Sequence, residues 1–289
     1  MANMANSPAE AARHFQQAQH TARRTATSPW ARALARAGYA AKGIIYLLIG
    51  ILAIQAAVGA GGAITDQHGA LAAIYAQPFG RVLLALITIG LLAYGLWSFC
   101  QAFLDVEGKG TDAKGIVTRI GYGVVGIIYI GLGVGAARFD AGLGSAGKSS
   151  NTSTQDWTAR LLKAPGGTAL VVIVGLVVLG VAAAMFYRAY KADFSQQLGG
   201  GGTMRDAVIW LGRLGYAALG FVFVIVGLFL IVAAVHHNPS QAQGLSGALD
   251  TLARQPFGPA LLAVVALGLI AYGLYSLAEA RYRRIGSAG

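Results

Sequence analysis

Residues 36–50 read RAGYAAKGIIYLLIG, residues 119–133 read RIGYGVVGIIYIGLG, and residues 213–227 read RLGYAALGFVFVIVG. One pattern, R-x-G-Y-x3-G-x2-[YF]-x3-G, therefore occurs three times with identical spacing. Its members are Arg36, Gly38, Tyr39, Gly43, Tyr46 and Gly50, then Arg119, Gly121, Tyr122, Gly126, Tyr129 and Gly133, then Arg213, Gly215, Tyr216, Gly220, Phe223 and Gly227. Self-similarity of this kind marks an internal repeat. Each copy opens an apolar block of about 20 residues, which a helix needs to cross a hydrocarbon layer of about 30 Å.

The chain carries six such blocks: Ala37–Val58, Arg81–Phe103, Ile120–Ala137, Thr168–Tyr187, Ile209–Val235 and Pro259–Ala278. Polar or glycine-rich pieces separate them: Asp105–Lys114, Gly142–Gln155, Gln196–Gly202 and His236–Gly247. The composition agrees, with 56% hydrophobic and 11% charged residues, where a soluble domain carries about 25% charged. A soluble enzyme, a disordered protein and a disulfide scaffold are excluded, the last because Cys100 is the single cysteine. The alternation of a membrane β-strand is absent. The sequence specifies an all-α membrane protein with six transmembrane helices.

The even-numbered blocks repeat as well. Gln77-Pro78-Phe79-Gly80 matches Gln255-Pro256-Phe257-Gly258, each preceded by Gly-Ala-Leu at 69–71 and 247–249, and GLLAYGLWS at 90–98 matches GLIAYGLYS at 268–276. The middle copy keeps Ala164-Pro165-Gly166 and then diverges. Each unit is an inward-starting span, an outer loop with a short helix, and a returning span. Two spans per unit keep all units in one orientation, so the chain is three parallel two-helix repeats around a pseudo-threefold axis. The units are residues 36–107, 115–194 and 205–284, after a basic tail, residues 1–35, expected to be disordered. The outer segments Gly69–Gln77, Asp156–Lys163 (with Trp157 as an interface anchor) and Gly247–Gln255 are expected to cap the bundle.

With both termini on one side, that side holds 16 of the 22 Lys and Arg residues; the other holds Arg81, Arg138, Lys148, Arg160, Lys163 and Arg254. The positive-inside rule puts both termini in the cytoplasm of a multi-pass cell-membrane protein. It also accounts for most of the net charge of +11. Nucleic acid is not an expected partner, because the basic residues line membrane edges without a recognition motif.

Gly43 and Gly50 are seven apart, nearly two turns, and lie on one helix face. Helices in lipid associate through small residues that let backbones approach, so packing is the expected role of these glycines. The motif arginines are expected to snorkel to headgroups, the following tyrosines to join an interfacial belt, and the prolines before the even spans to start helices.

Ionisable residues within spans are functional candidates by default. Gln101, Arg188 and Glu279 each stand 23 residues after a repeat proline. Arg188 and Glu279 are expected to pair, with Gln101 bonded beside them. The trio reads either as a staple at the cytoplasmic span ends or as a gate, proton site or anion site. Deeper polar groups (Gln55, Thr88, Tyr94, Ser98, Tyr272 and Ser276) are expected to form interhelical hydrogen bonds. His68, His236 and His237 read as loop residues; Asp66 and His68 lack the spacing of a metal site. No catalytic triad, Walker sequence or dinucleotide fingerprint is visible. No cofactor, metal or catalytic residue is expected.

The R-x-G-Y-x3-G copies, the Gly-Ala-Leu…Gln-Pro-Phe-Gly segments and the Ala-Tyr-Gly-Leu core resemble the bacterial domain-of-unknown-function family 1206, over about Arg36–Arg284. The resemblance implies six spans in three units and implies no activity, cofactor or catalytic residue. The expected function is a non-enzymatic structural or partner-binding membrane subunit, with the bilayer and another membrane protein as partners. The alternative is a small-solute or ion transporter or channel with a polar cluster at Gln101, Arg188 and Glu279.

Overall fold

A computed structural model describes residues 29–106, 110, 112–143, 149–192, 194 and 203–283. Nine α-helices lie among them: α1 (Pro29–Ala57), α2 (Gln67–Tyr75), α3 (Gly80–Leu104), α4 (Ala113–Asp140), α5 (Ser150–Leu162), α6 (Gly167–Lys191), α7 (Thr203–Val235), α8 (Leu245–Ala253) and α9 (Gly258–Tyr282). Six of these (α1, α3, α4, α6, α7 and α9) are long and apolar enough to cross a membrane. The spans run past the apolar blocks at several ends, because a helix continues wherever its backbone stays bonded, whatever the side chains. Thus α1 begins at Pro29, inside the stretch expected as a disordered tail; residues 1–28 of that tail, and the Gly199–Gly202 linker, lie outside the described residues. Likewise α5 begins at Ser150, within a piece expected to be a polar connection, where Ser149 caps it by accepting the Thr152 amide.

Three short helices join at one carboxylate on the face away from the termini. Asp66 caps α2 through the His68 and Gly69 amides, accepts the Ser150 amide from the start of α5, and accepts the Ser246 hydroxyl of α8 at 3.4 Å. Asn151 of α5 completes the junction by accepting the Gly244 and Gly247 amides, 2.8 and 3.0 Å away, at the α8 N-terminus. The expected cap is therefore one hydrogen-bonded unit. Burial pushes the Asp66 carboxyl up, but the Ser150 and Gly69 amides hold it below its ordinary value.

Each cap helix turns into its even span through the same bend. Phe79, Gly166 and Phe257 take left-handed backbone, φ 60°, 70° and 60°. A Cβ on the next residue (Gly80, Gly167 or Gly258) would run into carbonyls of the preceding short helix. Pro78, Pro165 and Pro256 thus sit within this turn, two residues before the helix, rather than starting it. Two aromatic residues accept left-handed backbone here, and Phe79 and Phe257 stay exposed, as suits an interfacial aromatic belt.

The spans pack in the order α4–α3–α1–α9–α7–α6. The tightest pairs join different repeats: α3 with α4, α6 with α7, and α9 with α1. Each is a backbone crossing at small residues. A Cβ on Gly43 would lie 2.8 Å from the Gly273 carbonyl and one on Gly273 equally close to the Gly43 carbonyl; Gly95 and Gly126 face each other in the same way, and Gly220 faces the Ala182 carbonyl. These three crossings occupy equivalent repeat positions and establish the pseudo-threefold arrangement. Two hairpins, α1–α3 and α7–α9, close within their repeats, whereas α4 and α6 barely touch. The six spans form a ring with one open joint.

Candidate functional site

Lys42 follows Tyr39 by one helical turn on α1, where the other repeats carry Val125 and Leu219. It is 4% exposed. Its ammonium donates to the Tyr272 hydroxyl of α9 at 3.1 Å and to the Tyr94 hydroxyl of α3 at 3.5 Å. It lies 3.9 Å from a Glu279 carboxylate oxygen on α9. The rings of Tyr272, Tyr94 and Tyr39 surround it with centroids at 4.9, 5.1 and 5.3 Å. An ammonium in low dielectric needs this compensation: one opposite charge, hydroxyl acceptors, and ring faces that attract cations.

Glu279, 2% exposed, is shared. Its second oxygen pairs with Arg283, four residues on at the C-cap of α9, and the Arg283 guanidinium lies over the Tyr39 ring at 5.0 Å. Rings carry the centre outward to every span. Tyr94 meets Tyr129 of α4 at 4.6 Å, Tyr272 meets Tyr46 at 4.9 Å, and Tyr272 meets Tyr216 of α7 at 5.4 Å. The Arg188 guanidinium of α6 lies 5.9 Å from the Tyr216 ring. All six spans thus contribute at least one group to a polar centre on the terminal side of the bundle.

The candidate trio is only partly assembled. Glu279 is central, but its cationic neighbours are Lys42 and Arg283 in place of the expected Arg188. Gln101 is buried on α3, and Arg188 stands apart against Tyr216. Ser98 donates to the Tyr94 carbonyl of its own helix at 2.9 Å instead of bonding across helices. Gly38 and Gly215 press on the Tyr94 and Tyr272 backbones, a Cβ falling within 2.7 Å of each Cα. Tyr39 and Tyr216 point into the bundle and are buried, not arrayed in an interfacial belt. Among the motif arginines, Arg36 is exposed. Arg119 caps α3 by donating to the Ala102 and Phe103 carbonyls at 2.7 and 3.1 Å, and Arg213 lies over Trp210. Lys42 was missed because it was counted with the edge cations; the signal is a lysine where both sister repeats are aliphatic.

Asp66 gives its carboxylate to helix capping, and no group of three His, Cys, Asp or Glu suited to a metal occurs among the described residues. His237 meets Thr168 and His236 meets Gln241, each at 2.8 Å.

A family model described as Domain of Unknown Function (DUF1206) matches residues 37–105, 120–192 and 214–283. "Uncharacterized protein YxxB" of Bacillus subtilis (strain 168) is 35% identical over 263 residues, which cover 90% of this chain and 94% of that one. No solved structure matches the chain. Three matched segments, three equivalent glycine crossings and six apolar spans lead to one conclusion: the chain is a six-span membrane protein of the DUF1206 family.

Proposed function

We propose that this chain is a non-enzymatic membrane subunit of structural or partner-binding role, set in the cell membrane with both termini in the cytoplasm. The observation that carries this reading is the self-compensation of the polar centre. Lys42 and Arg283 both pair with the Glu279 carboxylate, and the tyrosines around them stack edge to face. Beyond that layer, towards the cap, the centre is aliphatic, with Ile45, Ile49, Leu84, Leu91, Leu262 and Leu269 buried. Such a plug suits a bundle that holds its shape for another protein.

A transport reading draws on the same lysine, because a charge pair inside a span is costly and marks ion or proton paths. One experiment separates the two. With Cys100 replaced by alanine, single cysteines from Leu269 to Glu279 are labelled in inside-out vesicles with a membrane-impermeant thiol reagent. Labelling that ends near Glu279 is expected for a sealed bundle. A labelled stripe reaching Leu269 would establish a wet path and replace the structural reading with transport. A cysteine at Trp157, labelled in intact cells and silent in inside-out vesicles, checks the orientation.

A further inference from the structure

The open joint of the ring has a composition of its own. In the first repeat a Cβ on Gly90 would fall 2.6 Å from Ala41 Cβ, and in the third Gly268 is pressed on Ala218. The equivalent residues of the middle repeat are Val177 on α6 and Val124 on α4, and Val181 replaces Tyr94 and Tyr272. Two valines cannot occupy a contact that barely admits glycine and alanine. Accordingly Val177 is 60% exposed and Val124 50% exposed, and nothing lies within 4 Å of where a Gly121 Cβ would be. The result is an apolar slot between α4 and α6.

Arg188 stands at the end of this slot nearest the termini, in the last turn of α6. Its sister residues Gln101 and Glu279 are buried, but Arg188 is exposed. The groups acting on it are the tyrosines Tyr216 and Tyr272 and, across the slot on α4, Tyr122. No carboxylate pairs with it among the described residues. Behind it the Glu279 carboxylate is already engaged by Lys42 and Arg283, and the exposed group at the slot is the Arg188 cation. A guanidinium presents a donor fork that fits a phosphate, and basic pockets between spans take anionic headgroups.

We propose that the open joint between α4 and α6 binds one anionic phospholipid of the leaflet bordering the chain termini, with its phosphate on Arg188 and an acyl chain along Val124, Val177 and Val181. The occupant must be an amphiphile because the site joins a cation to an apolar slot. It must carry net negative charge because a zwitterionic headgroup brings a second cation up to the Arg188 guanidinium.

The test is native mass spectrometry of the purified full chain with equal amounts of phosphatidylglycerol and phosphatidylcholine. The wild-type chain is expected to retain one phosphatidylglycerol in preference. Arg188→Gln is expected to lower that preference about five-fold, the worth of one cation near a headgroup. Arg188→Lys should retain part of it, and Val177→Trp, which fills the slot, should reduce retention of the lipid. Arg254→Gln, at the opposite end in a pair with Asp250, should leave the preference unchanged. Thermal unfolding of each variant reports folding separately. An unchanged preference in folded Arg188→Gln, or an equal loss in Arg254→Gln, overturns the proposal. Displacement by excess inorganic phosphate with no effect of Val177→Trp also overturns it, in favour of a free anion. A dimer lost in Val177→Trp with lipid retention intact overturns it in favour of a second copy of the chain.

Discussion

Gly90 rests on Ala41 in the first repeat and Gly268 on Ala218 in the third; the middle repeat places Val177 and Val124 at these positions, and its two spans stand apart. The most apolar stretches of α4 and α6 are accordingly buried to only 22% and 17%, against 44% or more in the other four spans. Yet the crossings between repeats are equivalent all round the ring. The contacts that hold the bundle are therefore those between repeats. Lipid tails solvate aliphatic side chains as well as other helices do, so association in the bilayer relies on close packing and polar bonds. Contacts between repeats keep their small residues in every copy, and the middle hairpin has lost them without dissolving the ring.

The largest effect should come from the position shared by Glu279 and Arg188. Glu279→Leu leaves Lys42 and Arg283 without their carboxylate and should cost about 3–5 kcal/mol, whereas Arg188→Leu should stay within about 0.5 kcal/mol. Adding Lys42→Leu, the residue type at Leu219, to Glu279→Leu should recover much of the loss. Titration of the purified protein with SDS reads all three; equal costs at the two positions would erase the asymmetry. Next come the paired glycines. Gly215→Ala forces a methyl onto the Tyr272 backbone and should cost about 1–3 kcal/mol. Gly121→Ala meets open space and should gain up to about 1 kcal/mol through helix propensity.

The cap gives a smaller effect with a pH signature. The folded Asp66 carboxyl lies below its ordinary value. Its contribution is therefore complete above about pH 4 and is lost as pH falls through the lower folded value. Asp66→Asn should cost about 1 kcal/mol at neutral pH and flatten the acid limb of stability measured against pH. The smallest effect is the attempt to make the middle repeat resemble its sisters. Val124→Ala with Val177→Gly should change stability by less than about 1 kcal/mol. It should raise cross-linking between cysteines placed at positions 121 and 181; unchanged cross-linking would mean that something other than valine bulk holds the joint open.

Much of this was legible before any coordinates. The six blocks and three units follow from hydropathy and the R-x-G-Y spacing, because each span must satisfy its own backbone and present an apolar surface. The partner of each glycine face was not legible. A periodicity tells which side of a helix packs, not which helix meets it, and the crossings proved to join neighbouring repeats. Lys42 hid among edge cations because charge counting ignores depth, although Val125 and Leu219 at the same repeat position mark it as an intrusion. The expected Arg188–Glu279 pair does not form: Arg188 lies against the Tyr216 ring, and Glu279 is taken by Lys42 and Arg283. Glu279 found Arg283 four residues on, a local i,i+4 contact. The helical start of α5 was obscured by polarity, since Ser150–Gln155 is capped and bonded rather than buried.

The crossing of α1 with α9 also fixes an order of events during synthesis. The Tyr272 hydroxyl that accepts from Lys42 lies 230 residues further along the chain, and Glu279 follows it. At about 5–20 residues per second, the ribosome takes roughly 10–50 s to deliver them. Through that interval α1 carries an ammonium without its final counter-charge, and its glycine face waits for α9 to arrive. The closure of α1 therefore depends on a span made much later: α9 supplies both the glycine surface and the carboxylate that α1 requires.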